Sequence, residues 1–128
     1  MNLPRILIDA LPNLADAPGL HLSEPMGYVR FMALVCDCRL VITDSGGIQE
    51  ETTALGVDCL TLRDSTERPI TIEQGTNRLV GTHPETLRSA FREIGTHPRE
   101  TPSVPKGWDG RAAERILDIL LHDLKGAR

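Results

Sequence analysis

The sequence has 128 residues and a formal net charge of −4, with 40% hydrophobic and 25% charged residues. This composition is typical of a globular protein, and the length predicts one domain with a sizeable core. The acidic balance, with no Lys/Arg cluster and few aromatic residues, argues against nucleic-acid binding. No stretch has the length and apolar character needed to cross a bilayer.

The cysteines and the amino-terminal residues bear on the compartment. Cys36, Cys38 and Cys59 are odd in number and lack the paired spacing of a metal site, so we expect reduced thiols, no metal and no cofactor. A redox role for Cys36 and Cys38 is the alternative. The opening residues lack a basic region followed by an apolar one, so no secretory leader is expected. Together these features predict a cytoplasmic protein.

The first third of the chain is interrupted by prolines and glycines. Pro4 and Pro12 leave room for one short helix, predicted from Arg5 to Leu11. Pro18-Gly19 predicts a turn, and Leu20-His21-Leu22 a brief strand. Apolar residues at helical spacing then predict a helix from Tyr28 to Val35.

A glycine turn between a strand and a helix is the most informative local feature. Leu40 to Thr43 form a continuous apolar run, which predicts a strand buried on both faces. The paired Gly46 and Gly47 allow positive φ and let another group approach the backbone. A helix is expected from Ile48. Because such a turn presents unpaired N–H groups and the positive end of the helix dipole, it suits a phosphate group.

The helix after the turn carries a second candidate contact. Gly56 is expected to end this helix. Glu51 follows Gly47 by one helical turn, and we expect its carboxylate to accept hydrogen bonds from sugar hydroxyls rather than to face a phosphate. The packed face is predicted to carry Ile48, Thr52 and Leu55. Phosphate beside a diol indicates a nucleotide; the alternative is a purely structural turn capped by Asp44 and Ser45.

The next strand predicts where this turn lies in the sheet. Val57 to Leu62 read as a second buried strand, parallel to the first, which places the turn at the carboxyl edge where open α/β sheets bind ligands. The polar loop before Pro69 leaves the same edge. Its Arg68 could bind phosphate through two hydrogen bonds. The alternative is a surface salt bridge from Arg68 to Glu67 or Asp64.

The remaining elements alternate between helix and strand. We predict a short helix from Pro69 to Gln74, a strand from Arg78 to Val80, an outer helix from Pro84 to Glu93, and a final helix from Gly110 to Leu124 capped by Asp109. This order predicts an α/β fold with a partial Rossmann-like parallel sheet of about four strands. The four histidines lack metal spacing, and we expect them to be structural or solvated.

Three segments in order carry a family resemblance. Thr43 to Glu51 (TDSGGIQEE), Arg63 to Pro69 (RDSTERP) and Gly75 to Gly81 (GTNRLVG) closely resemble the carboxyl-terminal domain of non-hydrolysing UDP-N-acetylglucosamine 2-epimerases. The segments Glu24 to Tyr28 and Trp108 to Ile116 are similar as well. The resemblance covers residues 22–124, so residues 1–21 are the weakly matched start of a partial domain and residues 22–128 its UDP-binding part.

The resemblance implies a fold and a ligand. The fold is two Rossmann-like domains facing across a cleft, as in glycosyltransferases, with UDP held mainly by the second domain. The resemblance implies that Ser45, Gly46 and Gly47 bind the diphosphate and that Glu51 binds the ribose hydroxyls. It also implies that Arg68 faces the substrate and that Met26 and Phe31 contact the uracil. None of these residues is implied as catalytic.

The resemblance also implies which parts of the active site are supplied by another domain. The family interconverts UDP-GlcNAc and UDP-ManNAc by eliminating and re-adding UDP, with acid/base carboxylates mostly from the amino-terminal domain. We therefore expect this chain alone to bind UDP weakly or not at all and not to epimerise. An amino-terminal-half partner chain or a homo-oligomer is expected, and no membrane partner. The alternatives are a non-catalytic nucleotide-sugar-binding module and a glycosyltransferase donor domain.

Overall fold

The computed structural model describes residues 17–96 and 104–126. The chain divides into two compact units, with the boundary between Leu34 and Val35. The predicted helix from Arg5 to Leu11 lies outside the described residues. The predicted boundary between residues 21 and 22 stays a prediction.

The first unit contains a turn and the start of a helix. Gly19 has φ of 81°, and the Leu20 N–H donates to the Ala17 carbonyl at 3.1 Å. The predicted strand at Leu20-His21-Leu22 is wrong, because these residues have no strand conformation and pair with no strand among residues 17–96 and 104–126. Helix α1 spans Tyr28–Asp37, which confirms the predicted helix.

The second unit is a parallel sheet with helices on both faces. Its strands are β1 (Leu40–Thr43), β2 (Asp58–Thr61) and β3 (Asn77–Leu79), in the order β1-β2-β3. Its helices are α2 (Gly46–Leu55), α3 (Ile70–Glu73), α4 (Pro84–Thr96) and α5 (Ala112–Gly126). The α/β class is confirmed, although the described residues form three strands where about four were expected.

The strand register brings two loops to one edge of the sheet. Thr43 at the end of β1 lies opposite Thr61 at the end of β2. The Leu62 N–H donates to the Thr43 carbonyl at 2.8 Å, which continues the ladder beyond the strands. The turn after β1 and the polar loop after β2 therefore leave the sheet side by side, as predicted from the parallel crossover.

The two faces of β2 have different chemistry because alternate side chains point to opposite faces. Leu60 is fully buried and forms the apolar core with Val80 and Ala90. Cys59 and Thr61 are also fully buried, on the face where Thr61 donates to Asn77. One face of the sheet is therefore packed with apolar side chains and the other with a polar network.

Two predictions about burial are wrong. In β1, Ile42 is 43% exposed, because β1 is an edge strand among the described residues and does not have both faces covered. In α2 the buried side chains are Gln49, Thr52 and Thr53. Leu55, predicted on the packed face, is exposed. Gln49 accepts a hydrogen bond from Asn77 of β3, and Thr53 Oγ1 accepts one from the Thr76 N–H at 3.5 Å. The Thr52 hydroxyl donates within its own helix.

The final helix has an exposed apolar stripe. Its large apolar side chains are each at least 45% exposed within the described residues, namely Ile116, Leu117, Ile119, Leu120, Leu121 and Leu124. Asp109, the predicted cap, accepts a hydrogen bond from the Arg111 N–H at 3.0 Å and pairs with Arg115. In the described ranges, none of the helices combines the length and apolar character that a bilayer crossing requires.

Candidate functional site

The start of α2 is the centre of the candidate site. Ser45 is the N-cap in an extended conformation, with φ −79° and ψ 128°, and its side chain makes no capping hydrogen bond. Its N–H donates to Thr43 Oγ1 at 3.0 Å. The first N–H groups of an α-helix have no carbonyl partner within the helix. Since no side chain caps this end in the described residues, those N–H groups can bind an anion.

Of the glycine pair, Gly46 allows close approach of another side chain, and neither glycine has a positive φ. The part of the sequence prediction that concerned positive φ is therefore wrong. A Cβ atom built on Gly46 would lie 3.0 Å from Arg68 Nη1 and 3.5 Å from its Cζ. One built on Gly47 would meet nothing within 4 Å. Gly46 is therefore the position where the arginine of the next loop lies against the helix start.

Arg68 makes two ion pairs at this point. Its Nε lies 2.8 Å from Glu50 Oε2, and its Nη1 lies 3.7 Å from Glu67 Oε2. The first is a short ion pair rather than a well-directed hydrogen bond, because Nε has no acceptor at hydrogen-bonding angles. The nearby carboxylate of Glu50 raises the pKa of the guanidinium. The salt bridge to Glu67, which was the alternative to phosphate binding, is present, but the nearer partner, Glu50, was not predicted.

The surrounding carboxylates leave Arg68 available to an anion. Its side chain is 34% exposed, and both partners are more exposed. The pKa of Glu67 is lowered, first by its own backbone N–H and then by Arg63. Asp64, the other partner considered from the sequence, lies beside Gly81. Its Oδ1 is 2.9 Å from a Cβ atom built on that glycine. Solvent-exposed ion pairs are weak, so a phosphate could compete for this guanidinium.

Glu51 lies one turn into the same helix. Its side chain is half-buried, and it makes no hydrogen bond or ion pair with any other described residue. An ionised carboxylate accepts hydrogen bonds and donates none. Its position after Gly47 and its lack of a protein partner in residues 17–96 and 104–126 fit the predicted contact to sugar hydroxyls.

A buried polar network lies beneath Arg68, and sequence reasoning missed it. Gln49 is fully buried, and its Oε1 accepts from Thr66 Oγ1 at 2.7 Å and from Asn77 Nδ2 at 3.0 Å. Asn77 Nδ2 also donates to Thr71 Oγ1 at 3.1 Å. The available sequence signal was polar residues at helical spacing after the glycine pair, since Gln49 precedes Thr52 and Thr53 by three and four positions.

The other predicted site residues lie in the first unit. Met26 is half-buried in the segment before α1, and Phe31 is half-buried within α1. Their contact with uracil stays a prediction. Across the described ranges, no three His, Cys, Asp or Glu side chains are grouped as metal ligands.

Comparison with known proteins identifies the family. The family model for UDP-N-acetylglucosamine 2-epimerase matches residues 2–121. The chain belongs to the UDP-N-acetylglucosamine 2-epimerase family. The enzyme of that name from Methanocaldococcus jannaschii is 45% identical over 103 residues, and that from Bacillus subtilis is 39% identical over 114 residues. These matches cover 80% and 85% of this chain but only 28% and 30% of the two relatives.

Solved epimerase structures share the fold. The Neisseria meningitidis enzyme bound to UDP-GlcNAc superposes with a TM-score of 0.79 and 33% identity, covering 95% of this chain and 35% of its own. The Methanocaldococcus jannaschii enzyme in complex with UDP-GlcNAc and UDP superposes with a TM-score of 0.72 and 41% identity. This match covers 89% of this chain and 31% of that enzyme's chain. The predicted Rossmann-like fold and the family resemblance are confirmed, and a glycosyltransferase donor domain is not favoured.

Proposed function

We propose that this chain forms the UDP-binding half of a UDP-N-acetylglucosamine 2-epimerase site. One observation carries the proposal: the guanidinium of Arg68 lies against the N-terminus of α2, with Nη1 3.0 Å from the Cβ position of Gly46. A cation and a set of unpaired N–H groups then point at the same place, which suits a diphosphate. The ligand is UDP-GlcNAc, in line with the ligands of the structural neighbours from Neisseria meningitidis and Methanocaldococcus jannaschii.

Each residue has one role in the proposed complex. The diphosphate accepts hydrogen bonds from the N–H groups at Ser45, Gly46 and Gly47, and Arg68 neutralises its charge. Glu51 accepts hydrogen bonds from the ribose hydroxyls. The uracil lies against the segment from Met26 to Phe31, as the family resemblance implies.

The proposed overall reaction is the interconversion of UDP-GlcNAc and UDP-ManNAc. UDP leaves C1 while a proton leaves C2, which forms a C1–C2 double bond. UDP is then added back at C1 while a proton returns to the opposite face of C2, so a group that holds the diphosphate stabilises the charge that develops on departing UDP. Acid/base groups come from the part of the relatives that this chain does not match, on a partner chain or a longer polypeptide. The proposed location is the cytoplasm, supported by three cysteines with free thiols.

The test is a titration of the ¹⁵N-labelled chain with UDP. We expect amide shifts concentrated between Ser45 and Glu51. Replacement of Arg68 by Ala should weaken the apparent affinity by roughly tenfold or more. Arg88→Ala is the matched control, because Arg88 pairs with Glu85 on the exposed face of α4. Shifts that spread evenly over the chain, or equal losses in the two variants, would contradict the proposal.

A second measurement separates binding from catalysis. The purified chain is incubated with UDP-GlcNAc, and the configuration at C2 is followed by NMR. We expect weak binding without turnover, because the proposed acid/base groups lie outside the matched region. Sustained epimerisation by this chain alone would overturn the division of the site into two halves.

A further inference from the structure

We propose that Gln49 and Asn77 form a buried amide pair that positions Arg68 through the hydroxyl groups of Thr66 and Thr71. The inference rests on the proposed function, since it assigns these four residues to the diphosphate site as positioning residues. None of them is proposed to touch the ligand. Their effect is to hold the backbone of Arg68 where its guanidinium reaches the start of α2.

Both backbone polar groups of Arg68 are held by threonine hydroxyls. The Arg68 N–H donates to Thr66 Oγ1 at 3.1 Å. The Arg68 carbonyl accepts from Thr71 Oγ1 at 2.8 Å and from the Thr71 N–H at 3.0 Å. An exposed loop normally leaves such groups to water. Here the peptide groups on either side of one side chain are fixed, which limits the directions in which that side chain can extend.

Each hydroxyl is in turn fixed by the amide pair. Thr66 Oγ1 donates to Gln49 Oε1 at 2.7 Å, and Thr71 Oγ1 accepts from Asn77 Nδ2 at 3.1 Å. Gln49 and Asn77 are joined directly, with Oε1 and Nδ2 3.0 Å apart. The hydrogen bonds therefore run in a closed path from the Arg68 N–H, through two hydroxyls and two amides, back to the Arg68 carbonyl.

The two amides of this path are oriented as a pair. Asn77 Oδ1 accepts from Thr61 Oγ1 at 2.6 Å, and Asn77 Nδ2 faces Gln49 and Thr71. Turning only one of the two amides over would place two NH₂ groups or two oxygen atoms against each other. The orientation of each amide therefore depends on the other.

Burial makes this arrangement stiff. Gln49 and Thr71 are fully buried, and Asn77 is 5% exposed. A buried donor or acceptor that loses its partner costs more than the net gain of the bond it made. Gln49 Nε2 lacks a hydrogen-bond partner among the described residues. Only the Oε1 end of the Gln49 amide, which accepts from Thr66 in the Arg68 loop and from Asn77, is hydrogen-bonded. An unpartnered buried polar group costs free energy of folding, so its presence favours a positioning role for this hydrogen-bonded path.

The experiment compares two isosteric threonine variants. Thr71→Val removes the hydroxyl that joins the Arg68 carbonyl to Asn77 and leaves the hydrogen bond from the Thr71 N–H in place. Thr52→Val is the matched control, because Thr52 is equally buried and its hydroxyl donates to backbone carbonyls of its own helix, Ile48 at 2.8 Å and Gln49 at 3.2 Å, and not to the Gln49 amide. Thr71→Ser keeps the hydroxyl and should restore the behaviour of the unchanged chain. Thr66→Val tests the other end of the path if Thr71→Val does not fold.

The first readout needs no ligand. The position of the Arg68 Nε–H signal in a ¹H–¹⁵N spectrum reports whether the guanidinium is fixed against the start of α2 or moves freely in solvent. We expect it to move to the position of a free arginine in Thr71→Val and Thr66→Val and to stay in place in Thr52→Val and Thr71→Ser. An unchanged Arg68 signal in both hydroxyl-deleted variants would overturn the proposal.

The second readout is the UDP affinity in a double-mutant cycle. Thr71→Val should weaken binding by roughly threefold to tenfold, the effect of one hydrogen bond. The loss should vanish when Arg68 is already Ala, because the hydroxyl acts through that residue. An equal loss with and without Arg68 would indicate a merely structural effect and overturn the proposal. If UDP produces no shift in the unchanged chain, the proposed function fails, and the Arg68 Nε–H signal still decides the positioning.

Discussion

Gly75 offers a sharp test of the packing beneath the site. It follows α3 and precedes β3, where the backbone passes close to α2. A Cβ atom at this position would lie 2.4 Å from the Thr71 carbonyl oxygen, 2.5 Å from Thr53 Oγ1 and 2.6 Å from Thr53 Cγ2. Ordinary van der Waals contacts need about 3.5 Å. Gly75→Ala therefore forces a displacement of roughly 1 Å on two sides at once.

The expected cost follows from which atoms must move. The Thr71 oxygen is backbone, and the Thr53 side chain is fully buried. Overpacking of this kind costs about 1–3 kcal/mol. Gly95→Ala is the matched control, because Gly95 lies in α4 and its Cβ would meet nothing within 4 Å. There we expect the free energy of unfolding to stay the same or to rise by up to about 1 kcal/mol.

The assay is urea unfolding followed by far-ultraviolet circular dichroism. The free energy of unfolding is compared at matched m-values, since a change in m would indicate an altered unfolded state. Gly75→Ala should unfold at lower urea than the unchanged chain, and Gly95→Ala should not. A Gly75→Ala midpoint equal to that of Gly95→Ala would refute the reasoning, because it would mean that α2 and α3 do not meet as closely as described.

Three further predictions concern charge and burial. Glu50→Gln should raise the UDP affinity severalfold, because the guanidinium then has one fewer carboxylate competing with phosphate. Arg115→Met should raise the pKa of Asp109 toward its ordinary value of 3.8, since a hydrogen bond from Arg115 lowers it; a ¹³C carboxyl titration measures this. Cys59 should react with a thiol reagent only as fast as the chain opens, because it is fully buried; burial also raises the pKa of its thiol, which slows the reaction further.

Each of these predictions has its own control. Glu85→Gln removes a carboxylate on α4 and should leave UDP affinity unchanged. For Asp109 the lowered pKa means that the pair stabilises the folded chain above the unfolded pKa and stops doing so as pH falls through the folded value; an unshifted titration in Arg115→Met would contradict this. The exposed Cys36 in the same chain should be labelled rapidly, and equal rates at the two cysteines would contradict the described burial.

Local patterns predicted the elements well. The helix Tyr28–Asp37, the strand Leu40–Thr43 and the stop at Gly56, whose φ is 72°, all follow from short-range periodicity and glycine placement. Gly56 ends its helix in the left-handed conformation that glycine adopts without strain. Such features depend on neighbours within a few residues, which is why the sequence by itself determined them.

The sequence also predicted which residues form the candidate site, but it did not predict which of their side chains pair with each other. The sequence placed the glycine pair and Arg68 at one sheet edge, and the structure brings Gly46 and Arg68 into contact. It did not reveal that Glu50 pairs with Arg68. The reason is that helix pitch and loop path together decide which of two adjacent carboxylates faces the loop.

Tertiary structure alone decided which face of α2 is buried. Apolar periodicity favoured Ile48 and Leu55, yet Gln49 is buried instead. Its partners Thr66 and Asn77 lie 17 and 28 positions away. A buried amide is stable only where such distant donors converge on it, because an unpartnered polar group in the interior costs free energy. The sequence thus determined the elements and the ligand-facing glycines, while the meeting of distant polar side chains decided how the arginine is held.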